Sequence, residues 1–284
     1  MQIRKALITT AGADQRQLPI QTLVDREGNR RTVIEILIDE VRKAGVEEIG
    51  VVIHPGDINV YSEIVAGDQQ IHFIEQDKQL GYGYAVLCGA SFIRDEYFLH
   101  LVGDHLYVNR TNVLCANHLT EIAKQNKCSV SAVTSTRENL IPNFGTIGGK
   151  RVHSSDNLYI IDKVIEKPTP TVAEQKLIIP GLRAGHYLCF FGMHVLSPTI
   201  MSILEKNLKA ANGNKIGLSD SLNELAKKEQ YMALEKNDLR FDIGDRYGLL
   251  KAQLALAISG SDRDQIMADL LDFFANLNMN PIGR

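Results

Sequence analysis

Lys5-Ala6-Leu7-Ile8-Thr9-Thr10 runs straight into Ala11-Gly12-Ala13-Asp14-Gln15-Arg16 near the start of the chain. A mostly apolar, β-compatible run that breaks into turn-forming residues is how a buried strand ends when its loop opens at a sheet edge. The following segments decide what kind of sheet this is. Thr32 and Glu35 have capping-box spacing, and Ile34, Leu37, Ile38 and Val41 then recur at helical intervals up to Ala44-Gly45. Glu48 to Ile53 reads as the next strand, Asp57 as the cap of a helix running through Ala66, and Ile71 to Glu75 as a third strand. Leu80-Gly81-Tyr82-Gly83 opens another helix. Tyr97 to Val102 forms a buried strand that stops at Gly103-Asp104-His105, and a helix around Asn112 to Gln125 leads into the strand Ser129 to Thr136. Strands alternating with helices signify right-handed βαβ units, a mostly parallel sheet and an α/β sandwich.

Beyond Arg137 the pattern changes. The glycines of Phe144-Gly145-Thr146-Ile147-Gly148-Gly149, with strands near Leu158 to Ile165 and His186 to Val195, predict an inserted, partly antiparallel layer facing a sugar. Helices near Pro198 to Lys206 and Ser219 to Lys227, a strand near Tyr231 to Glu235, the segment Arg240 to Asp245 and a helix from Tyr247 to Ala257 follow. The expected organisation is one domain over residues 1–260, with a nucleotide half over about 1–137 and a sugar-binding half over about 138–260. Residues 261–284 add a C-terminal helix whose Ile266, Leu270, Phe273, Phe274 and Leu277 have helical spacing, suited to packing or to dimerisation.

Composition bounds the function. A chain of 284 residues with 44% apolar content can bury a substantial core. A formal charge of −3 provides no cationic field for a nucleic acid backbone. Cys88, Cys115, Cys128 and Cys189 show no C-x-x-C spacing, so they read as buried thiols rather than zinc ligands or a disulfide framework. The first strand starts almost at Met1 with no cationic and apolar leader, and no apolar run is long enough to span a bilayer. A soluble cytoplasmic protein with no membrane partner is expected.

In open α/β sheets, ligands collect outside the carboxyl ends of the strands, where loops diverge and free N–H groups point into the gap. Ala11 to Arg16, Gln76 to Gly83, Gly103 to His105 and Phe241-Asp242-Ile243-Gly244-Asp245 all belong to that edge. Asp104 and Asp242 each follow a strand, and two such carboxylates suit Mg²⁺, which takes one or two protein carboxylates plus phosphates and water. Each aspartate alone reads equally as a helix cap or turn former. Glu166-Lys167-Pro168 puts a carboxylate and an ammonium at a strand tip, where one accepts from sugar hydroxyls and the other neutralises phosphate. The alternative is a solvated surface pair.

The order of these pieces resembles the sugar-1-phosphate nucleotidylyltransferase family from Lys5 to about Ala257, and most closely its bacterial UTP–glucose-1-phosphate uridylyltransferase branch. Ala11-Gly12, Arg16 and Leu18-Pro19 are similar to that family's A-G-x-G-T-R-x-x-P loop, and Gln76 with Leu80-Gly81-Tyr82-Gly83 and Ala85 to its base-recognition segment. Gly103-Asp104, Phe144-Gly145, Glu166-Lys167-Pro168, Leu218-Ser219-Asp220 and Phe241-Asp242-Ile243-Gly244-Asp245 follow in the family's order. The resemblance implies a three-layer α/β/α sandwich with a mixed, mostly parallel Rossmann-like sheet of the nucleotide-diphospho-sugar transferase type. It implies nucleotidyl transfer from UTP to glucose-1-phosphate, giving a nucleotide sugar and pyrophosphate, with Mg²⁺ as cofactor and a homodimer or homotetramer as assembly. By the same resemblance Ala11, Gly12 and Gln76 face uracil and Gly81 lets the base approach. Asp104 and Asp242 hold the metal, Gly145 and Glu166 contact the sugar, Lys167 its phosphate, and Arg16 the triphosphate.

The chain departs from that pattern in its phosphate loop. Asp14 stands where the family has a second glycine and Gln15 where it has threonine, and a carboxylate there repels a triphosphate. The family's lysine beyond the arginine has no counterpart in the short passage from Pro19 to Asp25; Arg26, Arg30 and Arg31 are candidate substitutes, or else a solvated basic turn around Gly28-Asn29. His105 follows the metal aspartate where an acid is common, and Tyr84 stands where histidine is frequent. These departures support a competing expectation, a catalytically silent paralogue that binds a nucleotide or nucleotide sugar and regulates a partner. A dinucleotide-dependent oxidoreductase built on Gly81 and Gly83 has an incomplete glycine fingerprint, on the third unit instead of the first.

Overall fold

Strand β1 (Lys5–Thr9) is buried along its whole length, with Ala6 and Ile8 in one apolar core and Leu7 in the other. A strand buried on both faces belongs inside a sheet covered by helices above and below. In the computed structural model, which describes residues 1–12, 16–110, 113–153 and 155–279, β1 is followed by the hairpin β2 (Thr22–Val24) and β3 (Arg30–Thr32), α1 (Val33–Lys43), β4 (Glu48–Ile53), α2 (Ile58–Ile64) and β5 (Ile71–Glu75). Next come α3 (Tyr82–Cys88), α4 (Ala90–Ile93), β6 (Phe98–Val102), β7 (His105–Val108), α5 (Cys115–Asn126) and β8 (Ser129–Arg137). The second half adds β9 (Gly145–Arg151), β10 (Leu158–Glu166), α6 (Pro170–Lys176), β11 (His186–Leu196), α7 (Thr199–Ala210) and α8 (Leu218–Lys228). The chain closes with β12 (Tyr231–Glu235), β13 (Leu239–Asp242), α9 (Gly248–Ile258) and α10 (Arg263–Met279).

Among the described residues the main sheet has nine strands in the order β5-β4-β1-β6-β11-β8-β12-β10-β9. β1 runs parallel to β4 and β6, β4 to β5, and β8 to β12, while β10 and β11 oppose their neighbours. The sheet is thus mixed: seven of its nine strands run in one direction, and β10 and β11 run against them. Helices α1 and α5 pack into one core through Leu37, Val41, Leu119 and Ala123, and α3, α7 and α8 into the other through Val86, Ile200, Ile203 and Leu222.

Three expectations are corrected. The strands beyond Arg137 pair antiparallel as expected but form no inserted layer: β9 and β10 extend the edge of the same sheet, and β11 slots between β6 and β8. Every residue of β11 except His186 is buried, so only a central position satisfies it. Asp57 precedes α2 but makes no capping bond, and the helix stops at Ile64; its carboxylate instead faces Arg16, Nε to Oδ2 at 3.7 Å. Residues 22–32 form a two-stranded hairpin rather than a bare turn, with Gly28 at a φ of +84° in its tip.

Helix α10 packs on α9, and Ile266 and Leu270 help line an apolar groove of about 510 Å³ with Val24, Gln253, Leu254 and Ala257. Leu271, Phe273 and Phe274 on the same helix face solvent. The four cysteines are free thiols, three of them buried. No helix among the described residues is long and apolar enough to cross a membrane.

The capping box forms as its spacing predicts: the Thr32 hydroxyl accepts from Glu35 N, and the Glu35 carboxylate accepts from Thr32 N at 2.7 Å. Thr32→Ala is expected to lower stability by about 1 kcal/mol, shifting Tm by about 2–4 °C, as read by thermal unfolding. An unchanged Tm sinks the claim that this cap fixes α1.

Candidate active site

The carboxyl ends of β1 and β6 meet at a point where no side chain fits. Gly103 N donates to Thr9 O at 2.9 Å, and a β-carbon on Gly103 would lie 2.4 Å from Thr10 Cγ2 and 2.8 Å from Thr9 O. This close approach sets the direction in which Asp104 leaves β6. Over the same edge lies a cleft of about 470 Å³ lined by, among others, Ala11, Gly12, Gln76, Gly81, Asp104, Glu166 and Lys167. Gly145 sits behind Glu166. Arg16 and Asp242 do not line it, and Asp14 and Gln15 lie outside the described residues.

One wall of the cleft carries unmet hydrogen-bonding capacity. Gln76 is buried, its Nε2 donates to Lys78 O at 2.9 Å, and its Oε1 has no partner. A buried amide oxygen without a donor marks a place for a ligand N–H. Gly81 has a φ of +94°, and a β-carbon there would lie 2.5 Å from Ile216 O, so only glycine allows the approach. Sequence reasoning missed Gln79, His100 and Lys215 around this wall, and the bond that Tyr82 makes. Gln79 Nε2 donates to Ala11 O at 3.0 Å and clips the first loop. The Tyr82 hydroxyl meets His100 Nε2 at 2.5 Å, and His100 Nδ1 meets Leu7 O at 2.9 Å. The carbonyl can only accept, so Nδ1 carries the proton and Nε2 accepts from the tyrosine. Burial pushes His100 down to about 4, so it is neutral, and the bond ties the start of α3 to the sheet. Lys215 also lines the cleft.

The opposite wall is built from β9 and β10. Gly145 stands opposite Glu166 in the ladder, and a β-carbon on it would come within 2.9 Å of Ser219 Oγ and 3.1 Å of Glu166 Oε2. The absence of that carbon lets the Ser219 hydroxyl donate to Glu166 Oε2 at 2.5 Å. Lys167 adopts a φ of +46°, rare for a non-glycine residue and costing on the order of 1 kcal/mol. Its N–H donates to Phe144 O at 3.1 Å, and its ammonium has no partner among the described residues.

Asp104 and Asp242 come to either side of His105 through the pairing of β13 with β7. β13 runs antiparallel to β7 with Asp242 opposite His105, and Ile243 N donates to Asp104 O at 2.9 Å. The His105 ring lies between the carboxylates, Nδ1 at 3.3 Å from Asp104 Oδ1 and Nε2 at 3.8 Å from Asp242 Oδ2. Burial and the nearby Arg240 push His105 down to about 3, so the ring is neutral and these contacts are not ion pairs. Burial, and then the charge of Asp242, push the Asp104 carboxyl up to about 6. Asp104 Oδ1 is buried with no hydrogen-bond partner. Asp104 lines the cleft, and an unpartnered carboxylate there fits a divalent cation, whose charge would reverse the upward shift. Among the described residues no three His, Cys, Asp or Glu side chains form a metal cage; a hard cation completed by phosphate and water needs none.

The remaining cations are turned elsewhere. Arg16 faces Asp57. Arg26 donates to Asn109 O at 2.7 Å and to Ser259 Oγ at 3.1 Å, Arg31 pairs with Asp39, and Arg30 is an exposed residue of β3 that does not line the cleft. Arg240 donates to Phe190 O at 2.9 Å and stacks over Phe144.

Comparison with known proteins gives a consistent picture. The profile of the nucleotidyl transferase family matches residues 17–258. The chain is 28% identical to a UTP–glucose-1-phosphate uridylyltransferase, YngB, of Bacillus subtilis over 95% of each chain. It is 26% identical to a protein of the same name from Streptococcus pneumoniae, over 97% of this chain and 96% of that one. A UTP-bound UGPase from Acinetobacter baumannii superposes with a TM-score of 0.74 over 95% of this chain and 99% of that chain, at 20% identity, and shares the fold.

The raised Asp104 pKa carries a stability consequence. A carboxyl that titrates higher in the fold than in the unfolded chain stabilises the fold below its ordinary pKa and loses that contribution as pH rises through the folded value. In chelator, Asp104→Asn is expected to exceed the wild type in stability by roughly 1–3 kcal/mol above about pH 7, with the gap closing below about pH 4. Urea unfolding at both pH values checks this; a variant less stable at neutral pH refutes it.

Proposed function

The chain belongs to the nucleotidyl transferase family, and we propose that it transfers the uridylyl group of UTP to glucose-1-phosphate, releasing pyrophosphate and forming a nucleotide sugar. In this reaction an oxygen of the sugar phosphate attacks the α-phosphorus of the triphosphate, and the bond to the β-phosphate oxygen breaks. The nucleophile is already an anion, so no general base and no covalent intermediate are required. The work is alignment of two mutually repelling phosphates and neutralisation of their charge.

The observation that supports this reading most is the gathering of three unmet groups around one cleft: the Gln76 Oε1 acceptor, the orphaned Asp104 Oδ1 and the unpaired Lys167 ammonium. Gln76 Oε1 suits the single ring N–H of uracil, with Gly81 and the Ala11-Gly12 backbone leaving room for a flat base. Glu166, oriented by Ser219, accepts from sugar hydroxyls, and Lys167 neutralises the phosphate on that sugar. Asp104 and Asp242 would hold Mg²⁺, which when bound supplies positive charge to the triphosphate. The Arg16 guanidinium, now against Asp57, is the group for the departing pyrophosphate.

We place the protein in the cytoplasm, in nucleotide-sugar biosynthesis, as a homodimer or homotetramer whose second copy covers Leu271, Phe273 and Phe274. Light scattering on the wild type and on the double variant Phe273→Glu, Phe274→Glu checks this assembly. A wild type that is monomeric, or a variant that keeps its oligomer, removes it.

Two features favour a second reading, a catalytically silent nucleotide-binding paralogue: Arg16 lies beside Asp57, and the sequence has Asp14 where the family's loop has glycine. Pyrophosphate release across pairs of nucleoside triphosphates and sugar-1-phosphates, with Mg²⁺, separates the two. Turnover is expected with UTP and glucose-1-phosphate, and Asp104→Asn and Asp242→Asn are each expected to reduce it about a hundredfold or more. Binding without turnover supports the silent paralogue, and full activity in either aspartate variant rejects its metal role.

A further inference from the structure

The loop between α7 and α8 reaches the cleft from a part of the chain remote from every other wall. Asn212 at a φ of +47° and Gly213 at +88° turn the chain after α7. The next residues are then fixed: Ile216 N donates to Leu80 O at 2.8 Å and Gly83 N donates to Ile216 O at 3.0 Å. Ile216 and Leu218 are buried in the core beneath α7 and α8. Ile216 is buried while Lys215, next to it, is exposed. Lys215 lines the cleft, its Cβ lying 3.2 Å from where a β-carbon of Gly81 would be.

The charge balance of the cleft gives this lysine its role. The acidic groups lining it are Asp104 and Glu166, and among the described residues its only lysines or arginines are Lys167 and Lys215. A triphosphate and a sugar phosphate together bring far more negative charge than one ammonium can balance. Arg26, Arg31 and Arg240 are each engaged with other protein groups, and Arg16 lies outside the cleft lining, 3.7 Å from Asp57. The Lys215 ammonium makes no hydrogen bond or ion pair among the described residues. An unpaired cation on a backbone-clamped loop at the mouth of a cleft is suited to a phosphate.

We propose that Lys215 is a phosphate-binding residue of this cleft, recognising the phosphoryl groups of the triphosphate or of the sugar-1-phosphate. The assignment rests on the nucleotidyl-transfer reading. Titration calorimetry of the full chain with Mg²⁺, using UTP, glucose-1-phosphate and uridine as separate probes, tests it on the wild type, Lys215→Ala and Lys215→Arg. Affinity for UTP, glucose-1-phosphate or both is expected to fall about tenfold or more in Lys215→Ala and to recover in large part in Lys215→Arg, with uridine unchanged. The arm that falls identifies which phosphate is held. Unchanged binding of both phosphorylated probes in Lys215→Ala overturns the proposal while leaving the nucleotidyl-transfer reading intact, and so does an equal loss for uridine, which marks Lys215 as a packing residue. A wild type that binds neither UTP nor glucose-1-phosphate overturns both.

Discussion

The antiparallel pairing of β13 on β7 is the constraint on which the site depends. It sets Asp242 opposite His105 and ties Ile243 to the carbonyl of Asp104, so a carboxylate from late in the chain reaches the end of a strand laid down in its first half. The pairing is locked from behind by Gly248, where a β-carbon would sit 1.8 Å from Asp242 O. Helix α9 can therefore start hard against the end of β13. Two aspartates that repel each other are held by backbone hydrogen bonds and packing, not by any attraction between their side chains.

This arrangement is tolerable because the rest of the sheet is apolar and well satisfied. Two cores on opposite faces of the sheet supply the stability, and the polar groups threaded through them have partners: His100 between Tyr82 and Leu7 O, His194 with Ser131. Half of the exceptions among the described residues line the cleft, while Asp57 Oδ2, the Tyr61 hydroxyl, Ser197 Oγ and Asp238 Oδ2 belong to residues outside it. Asp104 Oδ1, His105 Nδ1 and Gln76 Oε1 are buried without partners, and Lys167 holds a left-handed backbone. Such local costs persist where the surrounding structure over-determines the geometry.

Much of the fold was legible because its signals are local. Thr32 and Glu35 announced α1, the β-rich runs announced β1, β4, β5 and β6, and their alternation with helices announced a mostly parallel sheet. The misreadings were equally physical. The glycines after Arg137 suggested a separate layer, but glycine content reports local backbone freedom and not which sheet a strand joins. Asp57 resembled a cap, yet its side chain turned to Arg16, a choice made by a neighbour distant in sequence. Of the candidate site, the residues that stand in compact motifs, Ala11-Gly12, Gln76, Gly81, Asp104 and Glu166-Lys167, were found and line one cleft. Gln79, His100 and Lys215 were not, nor was the bond from Tyr82 to His100, since each matters only through its placement against segments that no spacing rule connects to it.

By itself the sequence determined the strands and helices, their alternation and the polar residues at strand ends, because hydrophobic periodicity, caps and turn residues act within a few positions. Tertiary structure alone decided that β11 lies at the centre of the sheet, that β13 carries Asp242 to Asp104, and that Lys215 rather than Arg26 or Arg31 faces the cleft. Those outcomes depend on which buried surfaces meet. That is settled by packing and by backbone pairing between segments far apart in the chain, for which no local pattern of residues gives a signal.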